Sequence, residues 1–166
     1  LAAKIRYLYK TVGSCLAPFD SYLLIRGIKT LPIRMERQQE NALAIAKWLQ
    51  TQKKIKQVYY IGLEDHPGYE INKKQTTGFG SMISIRTDSE ATARRVLERI
   101  RLITHAESLG GVESLMTYPM LQTHGDVPVD TRERLGITED FLRFSVGIEN
   151  VDDLIADLDQ AINGED

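Results

Sequence analysis

"FLRFSVGIENVDDLIADLDQAING" (residues 141–164) decides the fold class, because it writes a strand and a helix one after the other. In its first six residues Leu142, Phe144 and Val146 alternate with Arg143 and Ser145, the period of two of a half-buried strand. Past residue 150 the period changes. Val151, Leu154, Ile155, Leu158 and Ile162 make a helical stripe, Asn150 stands at the N-cap, and Gly164 closes the run. A strand and a helix that each have one apolar side bury them against each other.

The same two signals recur upstream. "KQVYYI" (56–61) and "SMISIRT" (81–87) read as strands, the second with Ile83 and Ile85 on one face. "GLEDHPGYE" between them reads as a loop. "DSEATARRVLERIR" begins with a capping residue and runs as a helix with Ala93, Leu97 and Ile100 inward. "LITHA" and "VESLMTY" are short strand candidates on either side of Gly110-Gly111, a strand–turn–strand. Two helical stretches lead the chain. Pro18 suits a first turn, Leu24, Ile28 and Leu31 follow at helical spacing, and Pro32 should kink or break the helix. Ala42, Ala46 and Leu49 then resume the period. The expected architecture is an α+β sandwich: a small, mostly antiparallel sheet with helices packed on it. Residues 1–54 form the leading helices and 55–166 the sandwich, within one domain spanning 1–166.

Composition restricts the function classes. A net charge of −2 gives no reason to expect a nucleic-acid partner. Residues 1–58 carry eleven Lys/Arg against three Asp/Glu, and 150–166 carry six acids and no base; both segments read as solvated helix faces. No run reaches the roughly 18 apolar residues of a membrane span, so no membrane partner is expected. The single Cys15 forms no internal disulfide and fits a cytoplasmic setting. The chain begins "LAAKIRYLYK", helical in character and without an initiating Met, and is expected to be part of a longer protein.

Candidate chemistry gathers around three places. The period of two puts Arg143 and Ser145 on the face of the strand opposite the core, where a planar guanidinium grips a carboxylate by two parallel hydrogen bonds, stands simply exposed, or sits in a structural ion pair. "HAESLGGVES" (105–114) is either a plain turn or a backbone cradle for an anion, since Gly110-Gly111 permits positive φ and close approach beside Ser108. Thr123 and His124 follow Pro119 in a loop-like stretch where functional residues concentrate. Other motifs fail. "GFGSMIS" lacks the third glycine and the strand–turn–helix of a dinucleotide site. His66, His105 and His124 lack metal-ligand spacing, and no metal is expected. No lysine follows Lys74.

Three stretches together carry a resemblance. "SCLAPFDSYLLIRGIKTLPIRMERQQENA", "HAESLGGVESLMTYPMLQTH" and "LGITEDFLRFSVGIENVDDLIADLDQAI" resemble the C-terminal domain of the Cys/Met-metabolism, or trans-sulfuration, family of pyridoxal-phosphate (PLP) enzymes. That family includes cystathionine β-lyase, γ-lyase and γ-synthase. The resemblance implies the C-terminal domain of a fold-type I PLP enzyme, a C–S lyase or synthase of methionine and cysteine metabolism. It implies that Arg143 binds the substrate α-carboxylate, helped by Thr123, and that Ser108 lines the site beside cofactor and substrate. Leu109 follows in its wall, and Glu107 stands near the distal end of the substrate. It also implies that no catalytic residue proper lies in this chain. The cofactor lysine and most PLP contacts belong to an N-terminal domain, which becomes a partner alongside the amino-acid substrate. The 166-residue chain alone is then expected to be inactive, and the whole enzyme a homo-oligomer, usually a tetramer. A stand-alone ligand-binding or dimerising α+β domain without catalysis is the alternative.

Overall fold

A computed structural model describes residues 1–164 and divides the chain into two compact units, residues 1–33 and Arg34 onward. The first unit holds helices α1 (Ala2–Val12) and α2 (Pro18–Ile28), neither with a buried residue. Pro18 occupies the first turn of α2, where its missing N–H is needed by no partner. Along α1, Ile5, Leu8, Tyr9 and Val12 recur at helical spacing with their side chains exposed. Helix α3 (Leu31–Gln50) starts anew after a break, and Pro32 is its second residue. The proline therefore ends one helix and opens another; it does not kink a continuous one.

The second unit is the sandwich. Strands β1 (Ile55–Tyr59), β2 (Met82–Thr87), β3 (Thr104–His105), β4 (Leu115–Thr117) and β5 (Phe141–Ser145) form one sheet in the order β1-β2-β5-β4-β3. Three of its four pairings are antiparallel, and β3 with β4 is parallel. On one face Val58, Ile83, Ile85, Met116, Leu142 and Phe144 join a single core. Helix α3 contributes Ala42, Ile45, Ala46 and Leu49 to it, and α5 (Glu90–Arg99) Ala93, Val96 and Leu97. Helix α7 (Val151–Asn163) adds Leu154, Leu158, Ala161 and Ile162. Ser89 and Asn150 cap α5 and α7, accepting from the N–H of Thr92 and Asp152. The α+β sandwich with a mostly antiparallel sheet is the fold observed. Two short helices, α4 (Tyr69–Gln75) and α6 (Val129–Arg134), were not expected, α4 beginning inside the stretch read as loop; neither buries a residue, so neither has an apolar stripe to announce it.

The parallel pairing corrects the expected strand–turn–strand. Residues 106–114 do not turn a hairpin; they carry the chain back so that β4 starts level with β3, Thr104 opposite Leu115.

The acidic helix also departs from a solvated face. Asp157 is buried, and its carboxylate accepts from the backbone N–H of Arg101, Leu102 and Ile103 at 2.9–3.1 Å. It thereby fixes the chain between α5 and β3. Asp157→Ala orphans three donors around a buried site and should cost about 2–4 kcal/mol in urea unfolding; a loss within the scatter of surface substitutions would contradict this role.

Tyr60 supplies a pH dependence. It is fully buried, its hydroxyl donates to Gly80 O at 2.9 Å, and burial pushes its pKa up to about 12. The unfolded phenol ionises near pH 10. Neutral Tyr60 thus stabilises the fold in full below about pH 10, and that contribution fades as pH rises through about 12. Tyr60→Phe should lose less stability than the parent across this window in denaturant titrations; parallel losses in both proteins would assign the alkaline limb to other groups.

Candidate functional site: an arginine on the outer face of the sheet

The face of the sheet opposite the core is set by register. Tyr59 lies opposite Ser84, Ser84 opposite Arg143, and Arg143 opposite Thr117, one lateral row across β1, β2, β5 and β4. Directly opposed residues share a face, so Arg143 stands on a rigid strand between two hydroxyl side chains. Its guanidinium Nη2 donates to Thr117 Oγ1 (3.2 Å) and to the backbone carbonyl of Ser108 (3.4 Å). Its Nε is buried and has no hydrogen-bond partner. No ion pair joins it to a carboxylate among the described residues, unlike Arg37 with Glu40, Arg86 with Asp140 and Arg94 with Glu90. The structural ion pair, one of the roles open from the sequence, is therefore not found among the described residues, and the side chain is half-buried.

The loop 106–114 is fastened onto this face at several points. Thr117 Oγ1 donates to Ala106 O (2.9 Å), Ser145 Oγ accepts from Gly110 N–H (2.9 Å), and Gln38 Nε2 donates to Gly111 O. Gly110 has φ +77°, the left-handed region that a side chain disfavours. The far end of the loop is held by Ser114 and Glu149: the carboxylate accepts from Ser114 N–H (2.6 Å) and Oγ–H (2.9 Å), and Ser114 Oγ accepts from Gly147 N–H (2.8 Å). Asn41 on α3 donates to the carbonyls of Gly147 (3.1 Å) and Glu149 (2.9 Å). Gly147 is required by close approach, since a Cβ there would run into the backbone of Val112 and Glu113.

These contacts bring Ser108 and Arg143 together. Glu107, Ser108 and Leu109 are all exposed, next to the carbonyl that holds the guanidinium. Thr123 is half-buried, and its hydroxyl shares a hydrogen bond with His124 Nδ1 (2.7 Å); no hydrogen bond joins it to Arg143 among the described residues. Thr117 makes that contact instead. Sequence reasoning passed over Thr117, Gln38 and Glu149, and gave Ser145 a face but no role. Ser145 shares the phase of Arg143 and was within reach of the period-two pattern, whereas the partners on β4 and α3 depend on tertiary register. A separate hollow of about 490 Å³, lined by Leu43, Lys47, Tyr69 and Phe79 among others, contains none of the candidate residues.

Residues 1–163 match the family model described as Cys/Met metabolism PLP-dependent enzyme. The chain belongs to this family. The cystathionine beta-lyase of Coxiella burnetii is 50% identical over 163 residues, covering 98% of this chain and 42% of that protein. Among solved structures, cystathionine gamma-lyase from Lactobacillus plantarum, complexed with L-serine, matches at TM-score 0.90 and 42% identity, over 96% of this chain and 42% of that one. Cystathionine gamma synthase from Xanthomonas oryzae pv. oryzae, in complex with cystathionine, matches at TM-score 0.90 and 40% identity, over 95% and 41%. The chain thus spans about two-fifths of the length of these Cys/Met-metabolism relatives. Family membership implies PLP. Among the described residues no helix is long and apolar enough to cross a membrane.

Proposed function

We propose that this chain is the C-terminal, substrate-binding part of a PLP-dependent trans-sulfuration enzyme acting on cystathionine or a related sulfur amino acid. One observation carries the proposal: a half-buried guanidinium on the outer face of a strand, paired with no carboxylate and with its Nε buried and unpartnered. A cation in that state is unfavourable until an anion reaches it. An amino-acid carboxylate has the planar shape and charge that a guanidinium binds best. The relative from Lactobacillus plantarum was solved with L-serine and that from Xanthomonas oryzae with cystathionine, both α-amino acids. The names of the relatives favour this enzyme over a stand-alone binding domain.

In the proposed site Arg143 holds the α-carboxylate and so fixes the orientation of the α-carbon. Ser108 lines the side nearest cofactor and substrate, Leu109 adds apolar wall, Glu107 faces the distal end, and Thr123 supports the carboxylate end. The exposed, polar 107–108 segment beside an anion-seeking arginine fits the amino-acid end of a PLP complex. PLP, when bound, supplies an electron sink for negative charge developing at the α-carbon. Its covalent anchor would lie outside this chain: no lysine follows Lys74, and none of Lys4, Lys10 or Lys29 stands in the cofactor-lysine motif of the resemblance. The remaining partners are then an N-terminal domain of the same polypeptide, for which the exposed apolar side chains of α1 and α2 are suited, and further copies in a homo-oligomeric, tetrameric, cytoplasmic enzyme.

The test is made in the complete polypeptide that carries this segment. Arg143→Ala should keep the cofactor's absorbance and lose about 2–5 kcal/mol of transition-state stabilisation in kcat/KM, the scale of breaking a desolvated charge pair. Unchanged kinetics would remove Arg143 from the site. The products identify the reaction: pyruvate and homocysteine from cystathionine for β-elimination, 2-oxobutyrate and cysteine for γ-elimination, or cystathionine formed by γ-replacement. Turnover by the 166-residue chain supplied with PLP would overturn the placement of the anchor elsewhere.

A further inference from the structure

We propose that Thr117 is a positioning residue for Arg143, setting the angle at which the guanidinium meets a substrate carboxylate. The inference rests on the carboxylate-binding role proposed for Arg143. Thr117 is completely buried, so its hydroxyl has no recourse to water. That hydroxyl carries one proton, which goes to Ala106 O at 2.9 Å. Only an oxygen lone pair is left to face Arg143, and it accepts from Nη2 at 3.2 Å. The polarity of the contact is therefore determined: carbonyl, hydroxyl and guanidinium form one directed chain from the loop to the arginine.

The consequence is selective. Nη2 has two protons, one directed to Thr117 Oγ1 and the other to Ser108 O. The end of the guanidinium is held at two points, Nε is buried without a partner, and among the described residues no hydrogen bond engages Nη1. A guanidinium at the end of a four-bond stem loses much rotamer freedom when it binds. Holding it in place before the ligand arrives removes that cost from binding. Because Thr117 also holds Ala106 O, the distance between the arginine and the Ser108 loop is set by the same oxygen. Valine preserves the volume and the methyl group of threonine but leaves both Ala106 O and Arg143 Nη2 without this partner.

In the complete holoenzyme, Thr117→Val should raise KM for the amino-acid substrate about tenfold or more, the scale of a hydrogen bond to a charged group, with a smaller change in kcat. Thr117→Ser should restore KM to within about threefold of the parent, since the hydroxyl is what matters. Adding Thr117→Val to an Arg143→Ala enzyme should change KM no further, because the hydroxyl acts through the arginine. If the valine variant does not fold, Thr117→Cys takes its place beside Thr117→Ser, sulfur being the weak acceptor and oxygen the strong one. Parent-like KM in the valine or cysteine variant, an equal loss in the serine variant, or a full further effect in the Arg143→Ala background each overturns the assignment. These outcomes are distinct from failure of the underlying role: parent-like kinetics in Arg143→Ala alone would remove the carboxylate site itself.

Discussion

The parallel pairing of β3 with β4 is the constraint on which the candidate site depends. Parallel neighbours need a return path, commonly a dozen or more residues built around a helix. Here only residues 106–114 are available, and they form no helix. Such a segment has to leave the plane of the sheet and come back across it, with backbone groups that no ladder satisfies. Each must find a partner elsewhere or face water. The partners are side chains on the outer face and on α3: Thr117 for Ala106 O, Ser145 for Gly110 N–H, Gln38 for Gly111 O. A polar, multiply tethered loop beside an arginine thus follows from strand direction.

That constraint also explains why polar residues are buried where the pattern of apolar residues alone would place something else. Ser114, Thr117 and Ser145 are all inaccessible, yet each accounts for its hydroxyl within the fold. Satisfied networks of this kind hold one arrangement, because every alternative leaves a buried donor or acceptor unmade. Asn41 and Gln38, on the buried face of α3, extend the network into the helical layer. The core and the outer face are therefore joined through hydrogen bonds as well as through apolar packing.

The legible parts of the sequence were those governed by local period. Leu142, Phe144 and Val146 alternate, so β5 and its inward face could be read, and Arg143 fell on the correct side. The stripe of α7 and its Asn150 cap were equally plain. What escaped was decided by register. That Thr117 would lie opposite Arg143 depends on which strand neighbours β5, and neither sequence contains that information. Asp157 was hidden for a related reason: among the acids of α7 it alone reaches the N–H groups following α5, a contact made across 54–56 positions of chain. The direction of β3 was misjudged because a Gly-Gly between two short apolar runs is also what a hairpin looks like.

Two arginines on the same face show how one side chain can serve opposite ends. Arg86 is engaged through all three nitrogens: Nη1 meets Asp140 Oδ1 (2.9 Å) and Thr138 Oγ1 (2.6 Å), Nη2 meets Gly136 O, and Nε meets Tyr59 OH (3.2 Å). Its charge is neutralised by a carboxylate, and it ties the 136–140 segment to the sheet. Arg143, opposite Ser84 two positions along β2, is held by a hydroxyl and a carbonyl. Neutral acceptors orient a guanidinium without cancelling its charge. Had an aspartate stood where Thr117 stands, Arg143 would be fixed as firmly, and an incoming carboxylate would have to compete with an anion already present. A neutral acceptor at that position gives direction while leaving the full positive charge for the ligand, which is the physical difference between an arginine that braces a fold and one that receives a substrate.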